Sequence, residues 1–181
     1  MHTDSKNRLS GAKALALVGL MAATVECGKL ALSFLPNIEV VTLLLALYGY
    51  VFGWYGVSAA VVFVCIEPMI YGFGPWLLTY MIYWPAVAVA FMFLARLRVK
   101  KVWVITLLAI LLTMSFGIIS SVVDVMFYLG INKHYFANLI IYYARGVVFY
   151  VVQVACNAVL FLTVFSHLSR KLELLKTRML L

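Results

Sequence analysis

A chain of 181 residues with 66% hydrophobic and 11% charged residues lies far from the soluble norm of about 45–50% apolar and about 25% charged, which excludes a water-soluble globule. Lipid offers backbone amides no hydrogen-bond partners, so such a chain folds as spanning helices or as a closed barrel, and barrel strands alternate apolar with polar residues. Residues 40–47, 57–66 and 102–112 do not alternate, and the net charge of +8 falls in clusters between apolar stretches, which points to anionic lipid rather than nucleic acid as a partner.

Six apolar segments are predicted, cut at turn residues. The first covers about residues 10–35 and stops at Pro36-Asn37. It is longer than the roughly 7–15 residues of a signal-peptide core and is expected to stay in the membrane. Within it Ala12, Ala16, Gly19 and Ala23 share one helical face. Small residues at that spacing let helices approach closely, either inside the bundle or against a partner subunit. Glu26 and Lys29, one turn apart, are expected to neutralise each other. The second segment, about 38–52, is short for a span and ends at Gly53-Trp54-Tyr55-Gly56; the third, about 57–71, breaks at Gly72-Phe73-Gly74-Pro75. The fourth, about 76–94, carries Pro85 as an expected kink. Around its start cluster Tyr71, Trp76, Tyr80, Tyr83 and Trp84, either as interface anchors or, for Trp76 and Tyr80, as one wall of a site. The fifth segment is about 102–129, and the sixth, about 135–167, leads into a basic tail. The fold class is all-α: a polytopic bundle of six transmembrane helices in a single domain over residues 1–181.

Eleven of the 14 Lys and Arg lie before or at the start of the first segment (Lys6, Arg8, Lys13), after the fourth (Arg96, Arg98, Lys100, Lys101) and after the sixth (Arg170, Lys171, Lys176, Arg178). With six spans these clusters share one side, and the positive-inside rule makes it the cytoplasmic one, termini included. The chain has no visible internal repeat. Cys27, Cys65 and Cys156 stand apart with no CxxC spacing and are expected to be small core hydrophobes.

The other half of the membrane holds the polar residues that suggest a site, because a charge inside a span normally faces a partner or a wet cavity. The candidates for substrate binding are Asn37, Glu39, Glu67, Tyr71, Trp76, Tyr80, Asp124, Asn132, Tyr142 and Arg145. Asp124 and Arg145 lie at similar depth on the fifth and sixth segments. They form either a packing ion pair or a site in which Asp124 holds the arginine fork toward a ligand oxygen. No Walker-type phosphate loop, HExxH motif or nucleophile–base pair is present. No catalytic residue, metal set or cofactor is therefore expected in this chain, and a membrane enzyme is the less favoured class.

The basic N-terminus with its small-residue face, the Pro36-Asn37-Ile38-Glu39-Val40-Val41-Thr42 turn, the stretch from Glu67-Pro68 through Tyr71-Gly72-Phe73-Gly74-Pro75-Trp76, and Tyr83-Trp84-Pro85 together resemble an S component of an energy-coupling factor (ECF) vitamin transporter. The resemblance covers nearly the whole chain and is greatest to the cobalamin-specific members. It implies a subunit of the bacterial cytoplasmic membrane that binds one vitamin from outside. It also implies docking onto a membrane T subunit carried by two ATPases that use ATP and Mg, and toppling to release the vitamin inside. The docking face would be Ala12, Ala16, Gly19 and Ala23, with Gly19 departing from a pure alanine row. Pantothenate is the alternative vitamin, its carboxylate suiting Arg145.

Overall fold

The computed structural model describes residues 11–180, which form helices and turns with no strand among them. In chain order the helices are α1 (Gly11–Ala31), α2 (Val41–Phe52), α3 (Trp54–Tyr71), α4 (Trp76–Arg96), α5 (Val102–Tyr128), α6 (Tyr135–Leu160) and α7 (Ser166–Leu180). A π-helical turn, Phe161–Phe165, joins α6 to α7, so Tyr135–Met179 forms one 45-residue rod. That rod and α1, α3, α4 and α5 are the five helices long and apolar enough to cross a membrane. The expected end of the sixth segment near residue 167 is overrun because nothing there breaks the helix; the π turn absorbs one extra residue and the rod continues. Lys6 and Arg8, and the expected start of the first segment at residue 10, lie outside the described residues.

The short second segment has a physical explanation. Ten of the 12 residues of α2 are buried, and the helix packs most extensively on α4 and then on α3. At Gly49 an added Cβ would overlap the backbone of Ala88, so the α2–α4 approach needs a glycine. A 12-residue helix is about 18 Å long at ~1.5 Å per residue, well short of a hydrocarbon core of roughly 30 Å. The six expected segments are thus five helices long and apolar enough to span around one short buried helix, which leaves a gap at one end of the bundle.

The long helices are arranged for lipid outside. On α6 the buried residues are Gln153 and Asn157, while Ile140, Val148, Val151 and Val159 are exposed. This is the reverse of a soluble amphipathic helix and is what a lipid solvent favours. Helix α6 packs chiefly on α5, where the ring of Tyr150 lies against Gly117 and Gly146. The cysteines follow the same logic and depart from the core expectation: Cys27 and Cys65 are exposed on outer helix faces and Cys156 is half-buried. An apolar solvent accepts a thiol outside as readily as a core does.

The C-terminal end of α2 is tied down by two bonds. Tyr50 Oη donates to Val99 O of the α4–α5 loop at 2.9 Å, and Lys176 Nζ on α7 donates to Val51 O at 2.7 Å. Lysine near the last carbonyls of a helix complements its negative pole. The basic α4–α5 loop and basic α7 therefore meet at one end of the bundle, as the charge distribution predicts.

Candidate functional site

At the opposite end, above the N-terminus of α2, lies a cavity of ≈ 390 Å³. Its rim is the segment 32–39, which falls where a full-length second span would have stood. Asn37 adopts a left-handed backbone (φ 61), a conformation Asn tolerates better than most residues, and turns the chain back toward α2. The walls come from Lys29 of α1, Tyr71 of α3, Tyr80 and Trp84 of α4, Phe116 of α5 and Gln153 of α6. Every described long helix contributes to it.

The polar floor is built around Glu39. Its carboxylate accepts from the Thr42 backbone N (2.8 Å), from Thr42 Oγ1 (2.6 Å) and from Asn157 Nδ2 (2.9 Å). It thereby satisfies one orphan amide of the first turn of α2, at the positive pole of that helix. Asn157, fully buried, also donates to Thr113 Oγ1 at 3.0 Å, linking α2, α5 and α6 beneath the cavity.

One wall is ionic. Lys29 Nζ pairs with both oxygens of Glu67, a residue only 1% exposed. The ammonium also lies 4.1 Å from the centre of the Tyr71 ring, 5.6 Å from that of Tyr80 and 6.0 Å from that of Phe63, within cation–π range. The expected Glu26–Lys29 neutralisation is not what forms, because Glu67 on α3 offers Lys29 a two-oxygen partner across the interface. Glu26, 8% exposed, lies beside Glu67 and Lys29, and neither of its carboxylate oxygens has a hydrogen-bond partner among the described residues. Two buried acids thus lie near one ammonium, which is paired with Glu67 alone.

The other wall is aromatic. Trp76 meets Tyr80 edge-on at 5.2 Å, Tyr80 meets Trp84 at 5.5 Å, and Trp84 meets Phe116 at 6.1 Å between ring centres. Of the pair Trp76 and Tyr80 only Tyr80 lines the cavity, together with Trp84 one turn deeper, and Trp76 packs against Tyr80. Trp84 Nε1 is buried with no partner among the described residues.

Of the ten candidate residues, the cavity brings together Asn37, Glu39, Tyr71 and Tyr80, with Glu67 and Trp76 directly behind its walls. It does not gather the other four. Asp124 and Arg145 form no ion pair; the Lys29–Glu67 pair is the ion pair among the described residues. Arg145 is exposed, its guanidinium 5.5 Å from the centre of the Tyr142 ring, and Asp124 is half-buried on α5. Equal depth brings two residues together only if both face the shared interface, and Arg145 points away from it. Asn132 closes the α5–α6 turn, donating to Leu129 O at 3.2 Å and accepting from His134 N at 2.8 Å.

Lys29, Trp84, Phe116 and Gln153 also line the cavity, although they are not among the ten candidates. Trp84 was within reach, since it continues the Trp76–Tyr80 spacing by one more turn. The four small residues of α1 are all exposed, and nothing lies within 4 Å of a Cβ added at Gly19. Helix α1 packs on its neighbours through Leu17, Met21, Ala22, Val25 and Glu26 instead. Packing within the bundle is therefore not the use of that face.

Comparison with known proteins finds no family model that matches the chain, no matching curated protein and no matching solved structure.

Proposed function

We propose that this chain is the substrate-binding S component of an ECF-type vitamin importer of the bacterial cytoplasmic membrane, with its basic end in the cytoplasm and its cavity opening outward. The observation that carries the reading is the cavity itself. A half-length helix leaves a pocket lined by aromatic rings, an amide rim and one cation at a single end of an otherwise lipid-adapted bundle. A concave, mostly apolar pocket with a few convergent polar groups is the usual form of a small-molecule site. The unpacked small-residue face of α1 supports the second half of the reading, docking on a T subunit carried by two ATPases. In that complex, ATP hydrolysis would drive toppling and inward release.

Cobalamin is the vitamin that the sequence resemblance favours. A second vitamin is favoured by one observation: ≈ 390 Å³ stands near the lower end of the roughly 300–1,000 Å³ typical of drug-sized ligands. A corrinoid, with its macrocycle, amide arms and nucleotide loop, exceeds that space unless the 32–39 rim moves. Pantothenate is small enough for it, and Lys29, already paired with Glu67, replaces Arg145 as the cation nearest its carboxylate.

The test is calorimetric titration of the purified chain with cyanocobalamin and with pantothenate, followed by reconstitution into liposomes. Saturable one-to-one binding of one vitamin, with no ATP-driven uptake by the chain alone, is the expected result. ATP-dependent uptake by the isolated chain, or binding of neither vitamin, overturns the proposal.

A further inference from the structure

The basic end of the bundle holds a second cavity, ≈ 400 Å³, between the C-terminal end of α2, the α4–α5 loop and the start of α7. Three charged side chains border it, Lys100, Arg170 and Glu173, and none of them is in an ion pair among the described residues. The charges stand apart around a void instead of neutralising one another. Arg170 Nε donates to Ser166 O at 3.0 Å, which steadies the guanidinium and leaves its terminal nitrogens without a described partner. The hydroxyls of Tyr50 and Ser169 are already committed, donating to Val99 O and Ser166 O. The donors left for a guest are the Lys100 ammonium, the Arg170 terminal nitrogens and the Ser166 hydroxyl, a set suited to a tetrahedral oxyanion.

Charge and depth narrow the guest. Two cations and one carboxylate leave the lining one positive charge in excess, which matches the single negative charge of a phosphodiester. Free phosphate carries more, about −1.5 to −2 near pH 7 as for a phosphate monoester, and would meet Glu173 unfavourably. The carboxylate in turn calls for a hydrogen-bond donor beyond the phosphodiester, as in an ethanolamine or glycerol headgroup. The 26 residues of α6 and the 27 of α5 each extend about 39–40 Å at ~1.5 Å per residue. With headgroups a bilayer is roughly 40–45 Å thick, so a helix of this length reaches from one headgroup layer to the other, and Lys100 and Ser166 lie just past the ends of such helices. Ile105 and Phe165, also in the lining, are buried in the bundle core and form the apolar floor of the cavity. The π turn that ends at Phe165 sets the rotation at which Ser166, Ser169 and Arg170 enter the cavity; such turns are frequent at functional sites.

We propose that this cavity binds the headgroup of a membrane phospholipid, its phosphodiester between Lys100 and Arg170 and its terminal amine or hydroxyl at Glu173. Basic pockets between helices on the cytoplasmic side are known to take lipid headgroups. The site is independent of the vitamin cavity and of any transport role.

The test is native mass spectrometry and thermal unfolding of the full chain in detergent. It is titrated with short-chain phosphatidylglycerol, with short-chain phosphatidylethanolamine, and with inorganic phosphate at matched ionic strength. Saturable binding of both lipids is expected, with little response to inorganic phosphate. Lys100→Gln with Arg170→Gln should weaken lipid binding about 30-fold, two charges at roughly fivefold each. The control pair Arg98→Gln with Lys171→Gln removes two basic residues that do not line the cavity and should leave binding unchanged. Equal weakening in the control pair means diffuse surface attraction and overturns the proposal. So does saturation of the unaltered chain by inorganic phosphate at the lipid concentration, a result that needs no variant to fold.

Discussion

Lys29→Met removes the ammonium from the cavity wall while keeping most of its volume. Glu67, 1% exposed, is left with no cation, beside a second buried acid, Glu26. Breaking a buried ion pair by removing one partner costs about 3–5 kcal/mol, because the other charge stays buried and uncompensated. Lys29 is 23% exposed, which places the loss toward the lower end. The contact with Tyr71 at 4.1 Å adds roughly 0.5–2 kcal/mol, the range for cation–π pairs. A total near ~4 kcal/mol is a large share of the ~5–15 kcal/mol that holds an ordinary domain together. Equilibrium unfolding in mixed micelles, followed by tryptophan fluorescence at constant pH and lipid content, measures it. Two further variants separate charge from packing. Lys29→Met with Glu67→Gln should recover most of the loss, since a neutral pair carries no stranded charge. Glu26→Gln alone should be neutral or stabilising, because it leaves one acid for one ammonium. If Lys29→Met unfolds within ~0.5 kcal/mol of the unaltered chain, the range of ordinary surface changes, or if Glu26→Gln is as destabilising as Lys29→Met, the charge argument is refuted.

Gly49→Ala forces a Cβ into the Ala88 backbone and should destabilise by at least the ~1–3 kcal/mol typical of overpacking, read in the same unfolding assay. Asn157→Leu removes the donor shared by Glu39 and Thr113 and should lose about 1–3 kcal/mol for the polar groups left unpaired; vitamin affinity should fall with it as the cavity floor loosens. Gly19→Leu, on the open face of α1, should leave stability within ~0.5 kcal/mol yet abolish co-purification with the proposed T subunit, and full recovery of the complex would place the docking face elsewhere. Arg145→Ala, outside the cavity, should leave vitamin affinity unchanged in calorimetry, whereas Tyr80→Ala should weaken it at least tenfold, about 1.4 kcal/mol.

Much of this protein is written along the chain because it depends on short-range rules. Apolar runs without alternation can only be helices in lipid, and Pro36-Asn37, Gly72-Phe73-Gly74-Pro75 and Gly130-Ile131-Asn132 mark the turns to within a few residues. The small-residue face of α1 and the rim residues Asn37 and Glu39 were also legible, since each is carried by local spacing or by a turn. Pairing was not. Lys29 selects Glu67 over Glu26, 38 residues against three, because α3 lies against that face of α1. Arg145 misses Asp124 because helix rotation, not depth, decides which side chains meet. The second apolar segment announced by its length that something was unusual, but only packing against α3 and α4 made it a buried core helix. From that one tertiary fact comes the cavity: a helix of about 18 Å in a layer of roughly 30 Å leaves a space that the neighbouring helices line. Residue type sets which side chains tolerate lipid, whereas the rotation and offset of packed helices set which of them face one another.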